Sequence, residues 1–159
     1  MITNYALFPN ELSSKFCDLI CNVAEQYPKQ EATIYKSQTV NKGVRSSSLR
    51  WINENKHPEI NFILDAYVKS CNLKYFGFDI SYGPGAYQYT EYRAETKDHF
   101  NWHIDCLRDN SAIYDRKLTL CILLSEADEY EGGVFCLDDV EPKFDVNNYK
   151  QRGSMIIFP

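Results

Sequence analysis

The spacing of apolar residues changes near Leu73, and that change limits the fold more than any other feature of the sequence. Before Leu73 two segments carry apolar residues at helical intervals; from Leu73 onward the apolar residues alternate with polar residues, as in strands that bury one face. Helices followed by a succession of strands indicate an α+β domain, a sheet sandwich or barrel backed by the helices. A chain of 159 residues is long enough for one such domain and too short for two.

Two helices are predicted in the first half of the chain. The first begins at Ser13 or Ser14, whose hydroxyls suit a helix N-cap, and Pro28 ends it. The second begins at His57-Pro58-Glu59, because proline suits a first helical turn, and it ends at Asn72. Extended segments are predicted at Asn4–Pro9, Ala32–Ser37 and Val44–Ile52, the last of them after a turn at Asn41–Gly43.

Strands are predicted throughout the second half, at Leu73–Tyr82, Ala86–Tyr92, Phe100–Asp105, Arg116–Ser125, Val134–Leu137 and Ser154–Phe158. In the third of these, alternation points Phe100, Trp102 and Ile104 toward a core. The same alternation points His103 and Asp105 to the opposite face. The sequence therefore predicts a buried ring at Trp102 beside a polar pair that projects from a stiff strand.

The pair of His103 and Asp105 is the candidate site. An imidazole and a carboxylate two residues apart on one strand face supply two ligands of the 2-His-1-carboxylate arrangement that binds non-heme Fe(II). A surface His and Asp on an edge strand is the alternative for so short a motif. His57 and His99 are the remaining histidines and hence the candidate third ligands, although each is expected to be solvated.

The composition argues against several classes of function. The net charge of −5, without a cluster of Lys or Arg, disfavours a nucleic-acid-binding surface. No apolar run is long enough to cross a bilayer, and the N-terminus lacks the basic start and apolar stretch of a signal peptide. The six cysteines include no C-x-x-C pair. We therefore expect a cytoplasmic protein that binds neither membrane nor nucleic acid, with reduced cysteines that mostly fill the core.

A series of motifs in fixed order resembles the Fe(II)/2-oxoglutarate dioxygenases, and within them the prolyl-4-hydroxylase-like branch of bacteria and phages. The resemblance covers nearly the whole chain. Its motifs are Arg45–Ile52, Asn72–Ile80, Tyr92, His103-Ile104-Asp105, Arg116-Lys117-Leu118-Thr119-Leu120, Tyr130-Glu131-Gly132-Gly133 and Gly153–Pro159. The His-x-Asp, Arg-Lys-Leu-Thr and Glu-Gly-Gly motifs are common singly and specific together.

The resemblance implies that residues 1–159 form one domain with a double-stranded β-helix, or jelly roll, and iron at one mouth. It implies that His103 and Asp105 bind the iron and that Tyr92 and Thr119 contact 2-oxoglutarate. O2 and a peptidyl (prolyl) or small-molecule substrate would complete the reaction, a hydroxylation. A half-buried strand tyrosine is the alternative for Tyr92, and a β-branched strand former for Thr119. Arg45 is expected to be a solvated strand arginine, with an approach to the pocket as the alternative.

The sequence departs from the family at its C-terminus. In the family, the strand matching Ser154–Pro159 precedes the second iron-binding His and the Arg or Lys that pairs with 2-oxoglutarate. This sequence stops at Pro159, so we expect a fragment of a longer product or an inactive relative. Its last strands would be missing, and unpaired sheet edges would favour oligomers. Three hypotheses stay open: the dioxygenase, a non-catalytic jelly-roll binding or assembly module, and a hydrolytic zinc site at His103 and Asp105.

Overall fold

The structure is a computed structural model that describes residues 4–33, 40–81, 83–105, 115–138, 140, 143–145, 147 and 149–159. Both predicted helices are present, α1 at Ser14–Glu25 and α2 at Pro58–Cys71. Ser13 caps α1, its hydroxyl accepting a hydrogen bond from the backbone N–H of Phe16 at 3.3 Å. Proline occupies the first turn of α2, as the sequence predicts.

The described strands are β1 Ala6–Phe8, β2 Gln30–Glu31, β3 Arg45–Ser46, β4 Ser48–Asn53, β5 Ala86–Glu91, β6 His99–Phe100, β7 Thr119–Ile122 and β8 Met155–Phe158. They pair antiparallel in three sheets, ordered β1-β8-β7, β2-β4-β5 and β3-β6. The α+β class is thus confirmed, whereas none of these sheets closes within the described residues. Of the segment predicted at Ala32–Ser37, residues 34–37 lie outside the described residues.

The core lies between the two helices and the sheets. Ile20 and Val23 of α1 meet Ile52 of β4 and Ile60 and Leu64 of α2 in one buried cluster. One face of the β7 segment packs against this cluster and its neighbours, as the alternation predicts; its residues are Leu118, Leu120, Ile122 and Leu124. The opposite face of β7, which carries Thr119 and Cys121, is left for the candidate site.

The β4–β5 pair is the longest ladder described, and ion pairs at its end reinforce it. Glu91 of β5 accepts from Arg50 of β4 and also lies 2.8 Å from the Nζ of Lys29. Burial by itself raises the pKa of Glu91, but the hydrogen bonds and charges of Lys29 and Arg50 outweigh it and hold the pKa below its ordinary value. The carboxylate therefore favours the folded state most when it is ionised.

The strand predicted at Leu73–Tyr82 is wrong in its described part, and Tyr82 itself lies outside it. The chain instead leaves α2 through a π-helical turn at Asn72–Phe76 and then Gly77, whose φ of 72° is left-handed. The side chain of Asn72 donates to the carbonyl of Phe78 at 2.8 Å and accepts from its N–H at 2.9 Å. These bonds satisfy the backbone groups that a partner strand would otherwise have to satisfy.

The strand predicted at Phe100–Asp105 is also wrong beyond its first residue. Strand β6 ends at Phe100, because its partner β3 is only two residues long. Trp102 and Ile104, predicted to be buried, expose 68% and 78% of their surfaces.

The strand predicted at Val134–Leu137 is not formed either. Phe135 instead packs its ring against aromatic residues of other segments, namely Phe144, Tyr149 and Phe158.

The described cysteines are free thiols, as expected. Cys17 and Cys71 are buried and Cys136 is exposed, while Cys106 lies outside the described residues. Burial raises the pKa of both buried thiols above its ordinary value, which keeps them in the neutral, unreactive form.

Among the described residues there is no helix of the length and apolarity that a membrane crossing requires.

Candidate metal site

His103 and Asp105 face each other although they do not lie on a strand. The Nε2 atom of His103 is 3.4 Å from Oδ1 of Asp105, and the Nη1 atom of Arg116 is 3.6 Å from the same oxygen. The two predicted ligands expose 39% and 25% of their side chains, so both remain reachable from solvent. Two ligands of one first-row ion stand about 3 Å apart, so this separation suits a shared metal.

The imidazole of His103 is held so that Nε2 is free to bind. Its Nδ1 atom lies 2.7 Å from the backbone carbonyl oxygen of Asn101. Because a carbonyl only accepts, Nδ1 carries a proton, and in the neutral imidazole the lone pair lies on Nε2, which faces Asp105. Metal-binding histidines are typically fixed in this way, with the other ring nitrogen donating to a carbonyl or carboxylate. The ring also stacks on Phe100, with centroids 3.6 Å apart and planes 14° apart.

Two further side chains to consider are Thr119 and Cys121, which share one face of β7. The Oγ1 atom of Thr119 is shielded from solvent and has no hydrogen-bond partner among the described residues. A buried hydroxyl without a partner is costly, and a bound polar group could satisfy it. Burial, together with the negative charge of Asp105, raises the pKa of the Cys121 thiol to about 12, against the opposing charge of Arg116. The charge of Asp105 therefore acts on a thiol of this face of β7.

Tyr92 interacts electrostatically with the same thiol. Its ring is 51% exposed. Burial of the hydroxyl nevertheless raises its pKa, and Cys121 acts in the same sense, while Arg45 and Ser47, which face the hydroxyl, act against both. Cys121 thus interacts electrostatically with both Asp105 and Tyr92, and it shares a strand face with Thr119.

Arg45 is buried, contrary to the expectation from the sequence. It was expected to be a solvated strand arginine, but it exposes only 7% of its surface. Its Nε donates to Oγ of Ser47 at 3.1 Å, and its guanidinium carbon stands 4.5 Å from the centre of the Phe100 ring. The alternation Arg45-x-Ser47 places both side chains on one face, and this pattern could have indicated that Arg45 is buried beside Ser47.

The remaining histidines do not complete a metal site. His57 was expected to be solvated, but its Nε2 is 3.0 Å from the Tyr27 hydroxyl and its Nδ1 3.4 Å from the Glu59 carboxylate. His99 is exposed, and its Nδ1 lies 3.0 Å from the carbonyl oxygen of Lys97. Within the described ranges, no group of three or more His, Cys, Asp or Glu side chains is arranged to hold a metal ion.

A separate cleft of about 330 Å³ opens at the start of α1 and shares no residue with the candidate site. Its lining includes Arg152, whose guanidinium lies 2.7 Å from Asp18 and 3.4 Å from Glu126. Because two carboxylates already balance this cation, the cleft is not an evident anion site.

No protein-family model matches the chain, and no curated protein matches it.

Proposed function

We propose that this chain carries part of the site of a cytoplasmic Fe(II)- and 2-oxoglutarate-dependent dioxygenase that hydroxylates a peptidyl or small-molecule substrate, within a double-stranded β-helix. His103 and Asp105 would be two of the three protein ligands. Ferrous iron, when bound, would supply the activation of O2 that couples 2-oxoglutarate decarboxylation to hydroxylation. The observation that carries the proposal is the free Nε2 of His103, 3.4 Å from Oδ1 of Asp105.

The chemistry of the donors fits a first-row divalent ion. The set combines a neutral imidazole, fixed in the Nε2-binding form by the carbonyl of Asn101, with a carboxylate. Arg116, whose Nη1 lies 3.6 Å from Oδ1 of Asp105, forms an ion pair with that carboxylate. A metal would have to compete with this arginine, so we expect binding to be weaker than in a complete three-ligand site.

The residues proposed to contact 2-oxoglutarate have separate tasks. The Thr119 hydroxyl, buried and without a partner among the described residues, would donate to a cosubstrate oxygen. The Tyr92 hydroxyl, with its raised pKa, stays protonated at neutral pH and is a second donor. Thr119 lies on β7, and Cys121 on the same strand face interacts electrostatically with Tyr92 and Asp105, which supports one dianion meeting both donors and the metal.

The test of the metal site is calorimetric titration of the purified chain with Co(II), which is stable to oxidation. We expect His103→Ala and Asp105→Asn to weaken binding at least tenfold. His99→Ala is the matched control, because this exposed histidine is four residues away and its Nδ1 faces the carbonyl of Lys97. Equal losses in His99→Ala and His103→Ala, or no binding by the unaltered chain, would refute the metal site.

The cosubstrate is tested by repeating the titration with 2-oxoglutarate present. We expect 2-oxoglutarate to tighten Co(II) binding, and Thr119→Val, which keeps the shape of the side chain, to reduce that effect. No effect of 2-oxoglutarate on the unaltered chain would overturn the cosubstrate assignment. Fe(II)-dependent succinate release with a pool of proline-containing peptides supports an enzyme; its absence would favour the non-catalytic binding module.

A further inference from the structure

Three planar groups form a continuous stack beside the candidate metal site. The imidazole of His103 lies on the ring of Phe100, with centroids 3.6 Å apart and planes 14° apart. The guanidinium carbon of Arg45 stands 4.5 Å from the centre of the same ring. One ring face cannot hold two planar groups at these distances, so Arg45 and His103 lie on opposite faces of Phe100.

Backbone pairing fixes the inner part of this stack. Arg45 and Phe100 are direct partners in the antiparallel β3–β6 pair, so their side chains emerge side by side. The next N–H along the chain, that of Asn101, donates to the carbonyl oxygen of Val44 at 3.0 Å. The ladder then ends, and His103 lies in a segment without regular structure. The contact with Phe100 therefore joins an irregular segment to a paired strand.

The anchor of the stack is a buried cation. Arg45 exposes 7% of its surface and Ser47 9%. Ser47 accepts from Nε of Arg45 at 3.1 Å, and the hydroxyl of Tyr92 faces both residues. No carboxylate of the described residues lies within ion-pair distance of Arg45. A buried arginine held by a hydroxyl and a ring is costly for stability, which favours a role in the site.

We propose that Arg45 is a positioning residue for His103, acting through the ring of Phe100 to hold Nε2 toward Asp105. The hydrogen bond from Nδ1 to Asn101 fixes the tautomer, and the stack fixes the plane of the ring. Without the stack, a side chain that is 39% exposed regains rotamer freedom, and a metal must remove it again. The functional consequence rests on the metal site proposed above, whereas the stack itself does not.

The stack is tested first in the metal-free chain by NMR of the histidine ring protons. A ring 3.6 Å away shifts the His103 protons upfield, so we expect Phe100→Leu to abolish that shift and Arg45→Met to reduce it. Arg50→Met is the matched control: Arg50 also faces a ring, that of Tyr89 at 5.9 Å, but has no contact with Phe100. Unchanged His103 signals in Phe100→Leu would overturn the proposal.

The effect of the stack on metal binding is tested by measuring Co(II) affinity on the same variants. Losing an aromatic stack of ordinary strength weakens binding about threefold to tenfold. We expect that loss in Arg45→Met and in Phe100→Leu, and no further loss in the double variant, since both act through one stack. Arg45→Lys, which keeps the charge over the ring, should recover part of the affinity. Arg50→Met should bind Co(II) like the unaltered chain.

The two proposals fail in different ways. If the unaltered chain binds no Co(II), the metal site is refuted, while the NMR comparison still decides whether Arg45 orders His103. If the unaltered chain binds Co(II) and Arg45→Met binds it equally well, or changes only the effect of 2-oxoglutarate, the positioning role is refuted. Should Arg45→Met fail to fold, Arg45→Lys and Phe100→Leu carry the same comparison.

Discussion

Gly153 is the position where the structure predicts the largest effect of adding a single methyl group. Its φ is +78°, and a Cβ built on it would stand 2.2 Å from the backbone oxygen of Leu12. The N–H of Gly153 donates to Leu123 at 2.8 Å, and its carbonyl accepts from the N–H of Leu12 at 3.0 Å. This glycine therefore connects the end of β7 to the segment before α1, and the approach of Leu12 leaves no room for a side chain.

The magnitude of Gly153→Ala follows from these contacts. The left-handed backbone costs alanine about 1–2 kcal/mol, of which the reduced entropy of the unfolded chain returns about 0.4–1 kcal/mol. The new methyl group and the Leu12 oxygen, 2.2 Å apart, must also separate by more than about 1 Å to reach ordinary contact. That movement overpacks the site and strains a buried hydrogen bond, each worth about 1–3 kcal/mol. We expect a total loss of about 3–5 kcal/mol.

The matched control is Gly132→Ala. Gly132 has nearly the same backbone, with a φ of +77°, but a Cβ there meets no atom of the described residues within 4 Å. Its cost is the backbone contribution alone, about 0–1.5 kcal/mol. Urea unfolding followed by circular dichroism gives both free energies of unfolding. A difference of less than about 1 kcal/mol between the two variants would refute the close approach of Leu12 to Gly153.

Two further predictions concern charge and exposure. Glu91→Gln should lower the free energy of unfolding at pH 7. The difference from the unaltered chain should shrink as the pH falls through the lowered pKa of Glu91, since both proteins are then neutral at that position. Urea titrations across the acid range test this, and a difference that persists at the lowest pH contradicts it. Trp102→Ala should cost less than about 1 kcal/mol because the ring is 68% exposed; a loss of about 3–5 kcal/mol would instead show the buried ring that strand alternation predicts.

Local signals predict both helices correctly. They predict strands wrongly where the pairing of distant segments decides whether a strand forms. Ser13 and Pro58 specify where α1 and α2 begin, because capping and proline geometry act within one turn. The alternation at Phe100–Asp105 is as regular as that of β7, yet a strand needs a partner, and β3 pairs with only two residues of β6. Asn72 shows the same limit, since its side chain replaces a partner strand at Phe78.

The sequence proposes candidate site residues by type, but it does not indicate the contacts that hold their side chains in place. A His-x-Asp motif keeps its two side chains close even without a strand, because only one residue separates them and the carbonyl of Asn101 orients the imidazole locally. Arg45 was missed, because its burial depends on Phe100, which is distant in sequence and reaches it through the β3–β6 register. Such contacts depend on how strands align, which a spacing of residues does not specify.

The proposed site combines a paired strand with an irregular segment, and we expect its two halves to respond differently to substitution. Thr119 and Cys121 lie on β7, which pairs with β8, so changes there alter both the site and the sheet. His103 and Asp105 lie past the end of β6 and are partly exposed, so His103→Ala should leave the melting temperature nearly unchanged. A loss of metal binding without a loss of stability in that variant would separate ligand chemistry from folding. A large drop in melting temperature would instead mean that the stack on Phe100 supports the fold.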